Sequence, residues 1–517
     1  MRLVLTALVL VTAAPLAAQQ QRANNANVQR AVSSINEADY RRRVEVLAHD
    51  SMRGRGTPSP ELEEVATWIA SEFRRFGLRP GGDSNSFMQR YPMRREQIDS
   101  QQTYVMIMGG PVGHTQWQAG RETFYGGTLD GAEPTQPVEG PLVVVAGTPA
   151  DTARPFAGAP RGAIAMMVMA AANMRALNQY VAKAREAGIA GFIVVSNVPR
   201  ANFNTGMART MRADLELVVG GAQATAGLPI FVAMDSTVMP VLRAAGEDIT
   251  AMRGGQVNGV RALQGVNATL QVRRNVLARE SAPNVIGILE GSDPQLRNEY
   301  VFFTAHMDHE GVAGMQGCRA RGADSICNGA DDDASGTAGI IELAEAFATM
   351  NPRPRRSMVF MLVSGEERGL WGSRYYSEHP TLPLNNTVAA INLDMIGRNW
   401  RDTISVIGKE HSTLGETANR VTREHPEIGM QLVDDLWPNE RFYFRSDHYN
   451  FARKGVPILF FFNGTHPDYH QVTDTADKID AEKAARIVQM VYYIGLDVAN
   501  TTERPQWNPQ SRAQIVQ

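Results

Sequence analysis

The chain has 517 residues, 43% hydrophobic and 20% charged, with 51 basic against 54 acidic side chains for a formal charge of −3. That length exceeds what one simple core encloses and implies two structural units. The even charge balance, with no basic or acidic block, argues against nucleic acid as a partner. After the first residues no run reaches the ~18 apolar positions of a spanning helix, so no stable membrane insertion is expected.

Residues 1–18 read as an export signal: Arg2 is the charged head, residues 3–11 the apolar centre, and Leu16-Ala17-Ala18 the small-residue cleavage end. The mature protein is therefore expected to be exported, periplasmic or secreted. Residues 19–34, rich in Gln, Asn and Ala without strong periodicity, predict a mobile lead-in. Tyr40, Val44 and Leu47 predict a helix over 37–48, and Leu62, Val65, Ile69, Phe73 and Phe76 a second over 60–76. The second carries its own punctuation, with Ser59 as N-cap, Pro60 in the first turn, Glu61, Glu63 and Glu64 near the positive end and Gly77 past the last turn. Arg53-Gly54-Arg55-Gly56 between them reads as a turn, and residues 104–108 as a strand.

From 134 to 274 the pattern alternates short apolar runs with helical stretches, with strands expected at 141–146, 163–169, 191–195 and 228–232 and helices at 177–187 and 238–245. None of these segments carries clustered His or paired acids, so the block reads as a noncatalytic insert. The layout expected is 1–18 signal, 19–133 first part of the catalytic unit, 134–274 insert, 275–505 catalytic unit and 506–517 tail. Beyond Thr501 the chain is polar and reads as frayed.

Chemistry enters after Pro283, where strands are expected at 284–289 and 300–304. The latter delivers His306-Met307-Asp308, and a loop leads on to Asp331-Asp332-Asp333 at the start of a helix over 337–350. Ser335 is placed to cap that helix; acidic capping accounts for one of three aspartates, not all. Three more apolar runs come after it: 357–363 leads into Glu366-Glu367, 388–393 into Asp394, and 457–462 into His466 and Tyr469-His470. Four buried strands ending in imidazoles and carboxylates place them at one edge of an open α/β sheet, where such folds carry chemistry. His and carboxylate suit a zinc-like ion. Two metal ions need a shared carboxylate, two further ligands each and a free carboxylate for proton transfer. His306, one aspartate of the triplet, one glutamate of the pair, Asp394 and a late His supply five ligands and leave one Glu as base. Cys318 and Cys327 lie in the loop between the halves of this stretch; in an exported protein the pair reads as a disulfide, stabilising by ~2–3 kcal/mol, with two thiolate zinc ligands as the rival. The last helix, over 481–498, carries the stripe Ile487, Val491, Ile494 and Val498.

The motifs His306-Met307-Asp308, Gly329 to Gly336, Glu366-Glu367, Asp394 to Gly397, Arg445 to His448 and Pro467 to His470, in this order, resemble the M28 family of zinc aminopeptidases. The block 134–274 resembles the protease-associated domain inserted in many of its members. The resemblance implies an α/β fold with a mixed, mainly parallel sheet flanked by helices, of the zinc-exopeptidase, phosphorylase/hydrolase-like type, with a smaller β-rich insert. Carried over position by position, it implies two zinc ions per chain, with Asp332 bridging, His306 and Asp394 on one ion, and Glu367 and His470 on the other. It makes Glu366 the general base of a metal-activated water, Asp308 the group orienting His306, Tyr469 a donor to the developing oxyanion and Arg445 a contact for the substrate terminus. Asp331 and Asp333 remain rivals for the bridge, His466 for His470, and His309 and His448 for substrate contact. The activity implied is removal of N-terminal residues from peptides. The alternatives are a carboxypeptidase or dipeptidase on the same fold, a one-zinc relative of glutaminyl cyclase, and a noncatalytic peptide-binding protein.

Overall fold

A strand buried on both faces reads as a near-continuous apolar run rather than an alternation. A computed structural model describes residues 25–147, 154–168, 177, 180–219 and 226–517. In it every residue of Ser357–Val363, Thr387–Leu393 and Ile458–Phe462 is buried, and all but the first of Tyr300–His306. The chain forms two compact units, one of Met1–Pro92 with Ser281–Gln517 and one of Met93–Glu280. The expected export signal lies outside the described residues.

In the first unit the strands lie in the order Gln431–Val433, Thr403–Ile407, Ile458–Phe462, Thr387–Leu393, Tyr300–His306, Ser357–Val363 and the end of Arg274–Leu289. The four central strands run parallel. Thr403–Ile407 and residues 285–289 run antiparallel to their inner neighbours. Four C-terminal strand ends therefore open onto one edge of the sheet.

Helix Gly336–Ala348 connects two of these strands, and Ala481–Asn500 buries Ile487, Val491, Ile494 and Val498 together. Gly495 permits that helix its close approach to the sheet: a Cβ there would lie 2.4 Å from the Phe303 ring. Helix Pro60–Arg75 starts as expected, with Ser59 accepting from Leu62 N and Pro at the first turn.

Two expectations about the chain ends are corrected. Residues 25–34 of the supposed mobile lead-in are helical. The segment buries Ala31 and Val32, Ile35 just past its end is buried as well, and Gln29 Nε2 donates to Tyr493 Oη at 3.0 Å. The spacing of those apolar residues is helical, and the polar composition around them masks it. Past Thr501 the chain does not fray. Trp507 Nε1 donates to Gly455 O at 2.8 Å, Asn508 caps helix Pro509–Ile515, and Ile515 is buried.

The second unit holds a sheet in the order Gly113–Gln118, Tyr104–Gly109, Gly259–Gln271, Val138–Ala146, Ile164–Val168, Gly191–Ser196, Leu228–Met234, Thr123–Leu129. Its four middle strands are parallel and the rest antiparallel. Alternate residues feed separate cores, Leu142 and Val144 into one, Val143 and Val145 into the other. The unit begins at Met93 rather than at 134 and ends at Glu280 rather than 274. The strands within 104–129 hydrogen-bond into its sheet, which carries them with it.

Candidate metal centre

Each strand end delivers one piece. His306 is the last residue of its strand, in register with Val363, and Asp394 directly follows Leu393. The Asp332 carboxylate stands between two imidazoles. Its Oδ1 lies 3.1 Å from His306 Nε2 and its Oδ2 3.1 Å from His470 Nε2. Asp394 Oδ1 lies 3.7 Å from His306 Nε2, and Glu367 Oε2 3.3 Å from His470 Nε2. The five residues expected to hold metal thus converge, with one carboxylate facing both histidines.

The aspartate triplet divides its work. Asp333 is tied to backbone: its carboxylate accepts from His306 N at 3.2 Å, Gly336 N at 2.8 Å and Met395 N at 3.2 Å. It thereby takes the capping role expected of Ser335, whose hydroxyl instead donates to Asp331 O and accepts from Ile396 N. Asp331 accepts from Gly397 N at 2.6 Å and lies 3.2 Å from His466 Nε2. His466 therefore faces Asp331 and not the carboxylate between the other two rings. Asp474 accepts from the backbone N of both Asp331 and Asp332, fixing the loop. His470 sits at φ +56, a left-handed conformation that costs a non-Gly residue ~1–3 kcal/mol and gathers at functional sites.

Two neighbours close around this group: His309, which the sequence offered only for substrate contact, and Glu310, to which it gave no role. His309, fully buried, puts Nδ1 2.7 Å from Glu367 Oε1, and Glu310 puts Oε1 3.1 Å from His470 Nδ1. Both come directly after the His306 motif, which was the available signal. His448 is also buried, its Nε2 2.8 Å from Tyr443 O, and packs against Phe460. Asp308 meets His306 mainly through its main chain: its carbonyl is 3.1 Å from His306 Nδ1, its carboxylate 3.7 Å.

A further miss is Arg55. Read from sequence as part of a turn, it is fully buried behind the site. Nε donates to Met307 O at 2.9 Å, Nη1 to Leu47 O at 2.6 Å and Asn328 O at 2.7 Å, and Nη2 to Gly329 O at 2.9 Å. Burial lowers its pKa to about 10, against the pull of Asp308 and Asp333, so the cation persists at neutral pH. Arg55→Leu removes the donors of four buried carbonyls. At ~1–3 kcal/mol for each buried group left unsatisfied, partly relieved by water, a loss of about 4 kcal/mol is expected. Urea denaturation at constant m-value checks it.

Carboxylates outnumber cations here. Burial alone would lower the His306 pKa, yet Glu366 and Asp394 hold it well above the ordinary value. Burial would raise Asp332, yet His309, His306 and His470 hold it well below the usual range. Glu366 is pushed well up by burial and then by Glu367, Asp447 and Asp394, against the pull of His306. Burial, then Asp332, Glu367 and Glu366, keep the Tyr469 phenol protonated.

An open cleft borders His306, Asp332, Glu366 and Asp394. Tyr469 and Arg445 line it, with Met395, Phe442, Phe460 and Phe462 as its apolar wall. The Arg445 guanidinium lies 4.5 Å over the Phe442 ring and is half-exposed, its nearest acid, Glu440, at 3.8 Å.

The donor set fits divalent zinc. Ligand atoms of His306, Asp333 and Asp394, of His309, Asp332 and Glu367, and of Glu310, Glu367 and His470 lie within 4.8 Å of one another in each group. Glu367 Oε1 and His309 Nδ1 approach closely but are not aligned as a hydrogen bond, leaving both donor atoms open to a cation. Cys318 and Cys327 form a disulfide, so thiolate ligation is excluded.

Residues 284–495 match the model of Peptidase family M28. The chain is 29% identical over 214 residues to a probable zinc metalloprotease of Pyricularia oryzae, a stretch that is 33% of this chain and 42% of the relative. It is 34% identical over 205 residues to a second, from Leptosphaeria maculans, over 34% of this chain and 45% of that protein. The chain thus spans less than half the length of these curated relatives. Among solved structures, an aminopeptidase from Aneurinibacillus sp. strain AM-1 aligns over 92% of this chain and 97% of its own, with a TM-score of 0.50 at 18% identity, a likeness of fold.

Proposed function

We propose that the chain, whose residues 284–495 match the model of peptidase family M28, is a zinc-dependent exopeptidase that removes N-terminal residues from peptides. The observation that carries this reading is the Asp332 carboxylate, with one oxygen 3.1 Å from each of two imidazoles and Asp394 and Glu367 flanking them. His306 and Asp394 would hold one ion, Glu367 and His470 the other, and Asp332 both. Zinc bound there would lower the pKa of water toward ~7 and polarise the scissile carbonyl.

The remaining work falls to the chain's own groups. Glu366 accepts a proton from water as its oxygen adds to the carbonyl carbon. It returns that proton to the amine nitrogen as the C–N bond breaks. Tyr469, kept protonated, donates to the oxygen on which charge develops. The wall of Met395, Phe442, Phe460 and Phe462 suits an apolar side chain at the cleaved residue.

Aminopeptidase action is supported by the activity for which two similar proteins are named, the Aneurinibacillus enzyme and an aminopeptidase of Mus musculus that is 33% identical over 127 residues. The second reading, a carboxypeptidase or dipeptidase, is favoured by one observation: Arg445 offers a half-exposed cation for a substrate carboxylate. We also take the protein to be exported and the unit Met93–Glu280 to be a protease-associated insert. The disulfide suits an oxidising compartment.

The test is hydrolysis of leucyl and phenylalanyl peptides with free, N-acetylated or C-amidated ends, with and without a chelator. Free-amine and C-amidated peptides are expected to be cut, and acetylation or metal removal to abolish cleavage. Cleavage of N-acetylated peptides with loss on C-amidation would support a carboxypeptidase instead, and loss on blocking either end a dipeptidase. Chelator-insensitive hydrolysis would contradict both.

A further inference from the structure

Two loops leave adjacent parallel strands at the site, one after His306 and one after Val363, and a third segment ties them together. Thr57 lies two residues past Arg55 and is fully buried. Its hydroxyl donates to Asp308 Oδ2 at 2.8 Å and accepts from Gly365 N at 3.1 Å. Asp308 Oδ1 in turn accepts from Glu366 N at 3.3 Å. The Thr57 carbonyl accepts from Arg368 Nε at 2.7 Å, on the far side of the same turn.

The turn has little room to settle elsewhere. Gly365 has φ +71, and a Cβ on it would fall 2.6 Å from Tyr91 Oη and 3.0 Å from Trp371 Cβ. Only a group that both donates and accepts can stand between a backbone N–H and a carboxylate, and a hydroxyl is the smallest such side chain. Without it the Asp308 carboxylate loses one partner and Gly365 N becomes a buried donor with none. The Glu366 turn and the Asp308 carboxylate would then be free to shift relative to His306.

We propose that Thr57 is a positioning residue for proton transfer, its hydroxyl locking the Asp308 carboxylate to the Gly365–Glu366 turn and so setting Glu366 against His306. The inference rests on the reading of Glu366 as the base. Outer-shell partners of this kind are worth about 10–100-fold in metal affinity or activity, and a displacement of about 1 Å at the reacting groups about 100-fold.

The experiment compares Thr57→Val, which keeps the shape and drops the hydroxyl, with Thr57→Ser, which keeps the hydroxyl. Thr57→Ala replaces the valine variant if that protein does not fold. Each is assayed for kcat and KM on leucine p-nitroanilide and, after cobalt substitution, for its visible absorption bands, which report ligand geometry around His306. Thr57→Val is expected to lose about 10–100-fold in kcat with KM within about threefold, and to shift the cobalt bands. Thr57→Ser is expected to restore the spectrum, with kcat within about threefold of the parent. A valine variant matching the parent in both readouts, or a serine variant as impaired as the valine one, overturns the proposal. If the parent cleaves no free-amine substrate, the proposed function fails and the proton-transfer role falls with it, while the cobalt spectra still show whether the Thr57 hydroxyl sets the geometry around His306.

Discussion

Glu366→Gln is expected to leave the fold and the zinc content of the protein unchanged while peptide hydrolysis falls by about 10³-fold, within the ~10²–10⁴ that a positioned acid–base group contributes. The substitution preserves shape and removes only the capacity to take and return a proton. Glu366 borders the cleft with His306, Asp332 and Asp394 but belongs to none of the three metal-capable groups. Burial, then Glu367, Asp447 and Asp394, raise its proton affinity well above that of a solvated glutamate. That suits a base that must later act as an acid. Metal analysis beside steady-state kinetics checks the result. A glutamine variant within threefold of the parent would remove Glu366 from the role, and one that loses zinc would make it a ligand.

Asp332→Asn is expected to do the opposite, losing metal first and activity with it, to below about one zinc per chain and by at least ~10³-fold in rate. An asparagine offers one neutral oxygen where two charged ones now face His306 and His470. The surrounding imidazoles hold Asp332 ionised against its burial, so its charge is part of the site. Asp331 and Asp333 are controls in the same loop. They accept from Gly397 N and from His306, Gly336 and Met395 N, so their asparagine variants should lose stability before they lose metal. A melting curve and zinc content on all three separate the roles. Equal metal loss from all three would dissolve the distinction.

Much of this site is legible in the sequence because buried parallel strands have little choice of composition. The runs ending at His306, Val363, Leu393 and Phe462 are apolar on both faces, and the residues just past each of them meet at the same edge. Register within the aspartate triplet is not legible, because three adjacent identical side chains differ only in where the loop points them. The roles of Arg55 and Thr57 are hidden for another reason. A buried arginine satisfied by four carbonyls is indistinguishable in sequence from an exposed one in a turn, and three of those partners lie 252 to 274 residues away along the chain. Gly54 carries the trace of that packing. It has φ +68, and a Cβ there would fall 2.3 Å from Cys327 O and 2.4 Å from Gly311 O. Glu310 and His309 stand beside a recognised motif, but which way each points after a strand end depends on the loop, held in part by Arg55 and the disulfide. The second unit begins at Met93 because strand pairing sets the boundary, whereas sequence texture changes only near 134.

The most direct measurement is anomalous scattering at the zinc edge from crystals of the zinc-loaded protein. Two peaks about 3.5–4 Å apart, one within bonding distance of His306 and the other of His470, with the Asp332 carboxylate reaching both, are the expected result. A single peak, or two that share no carboxylate at position 332, would contradict the account.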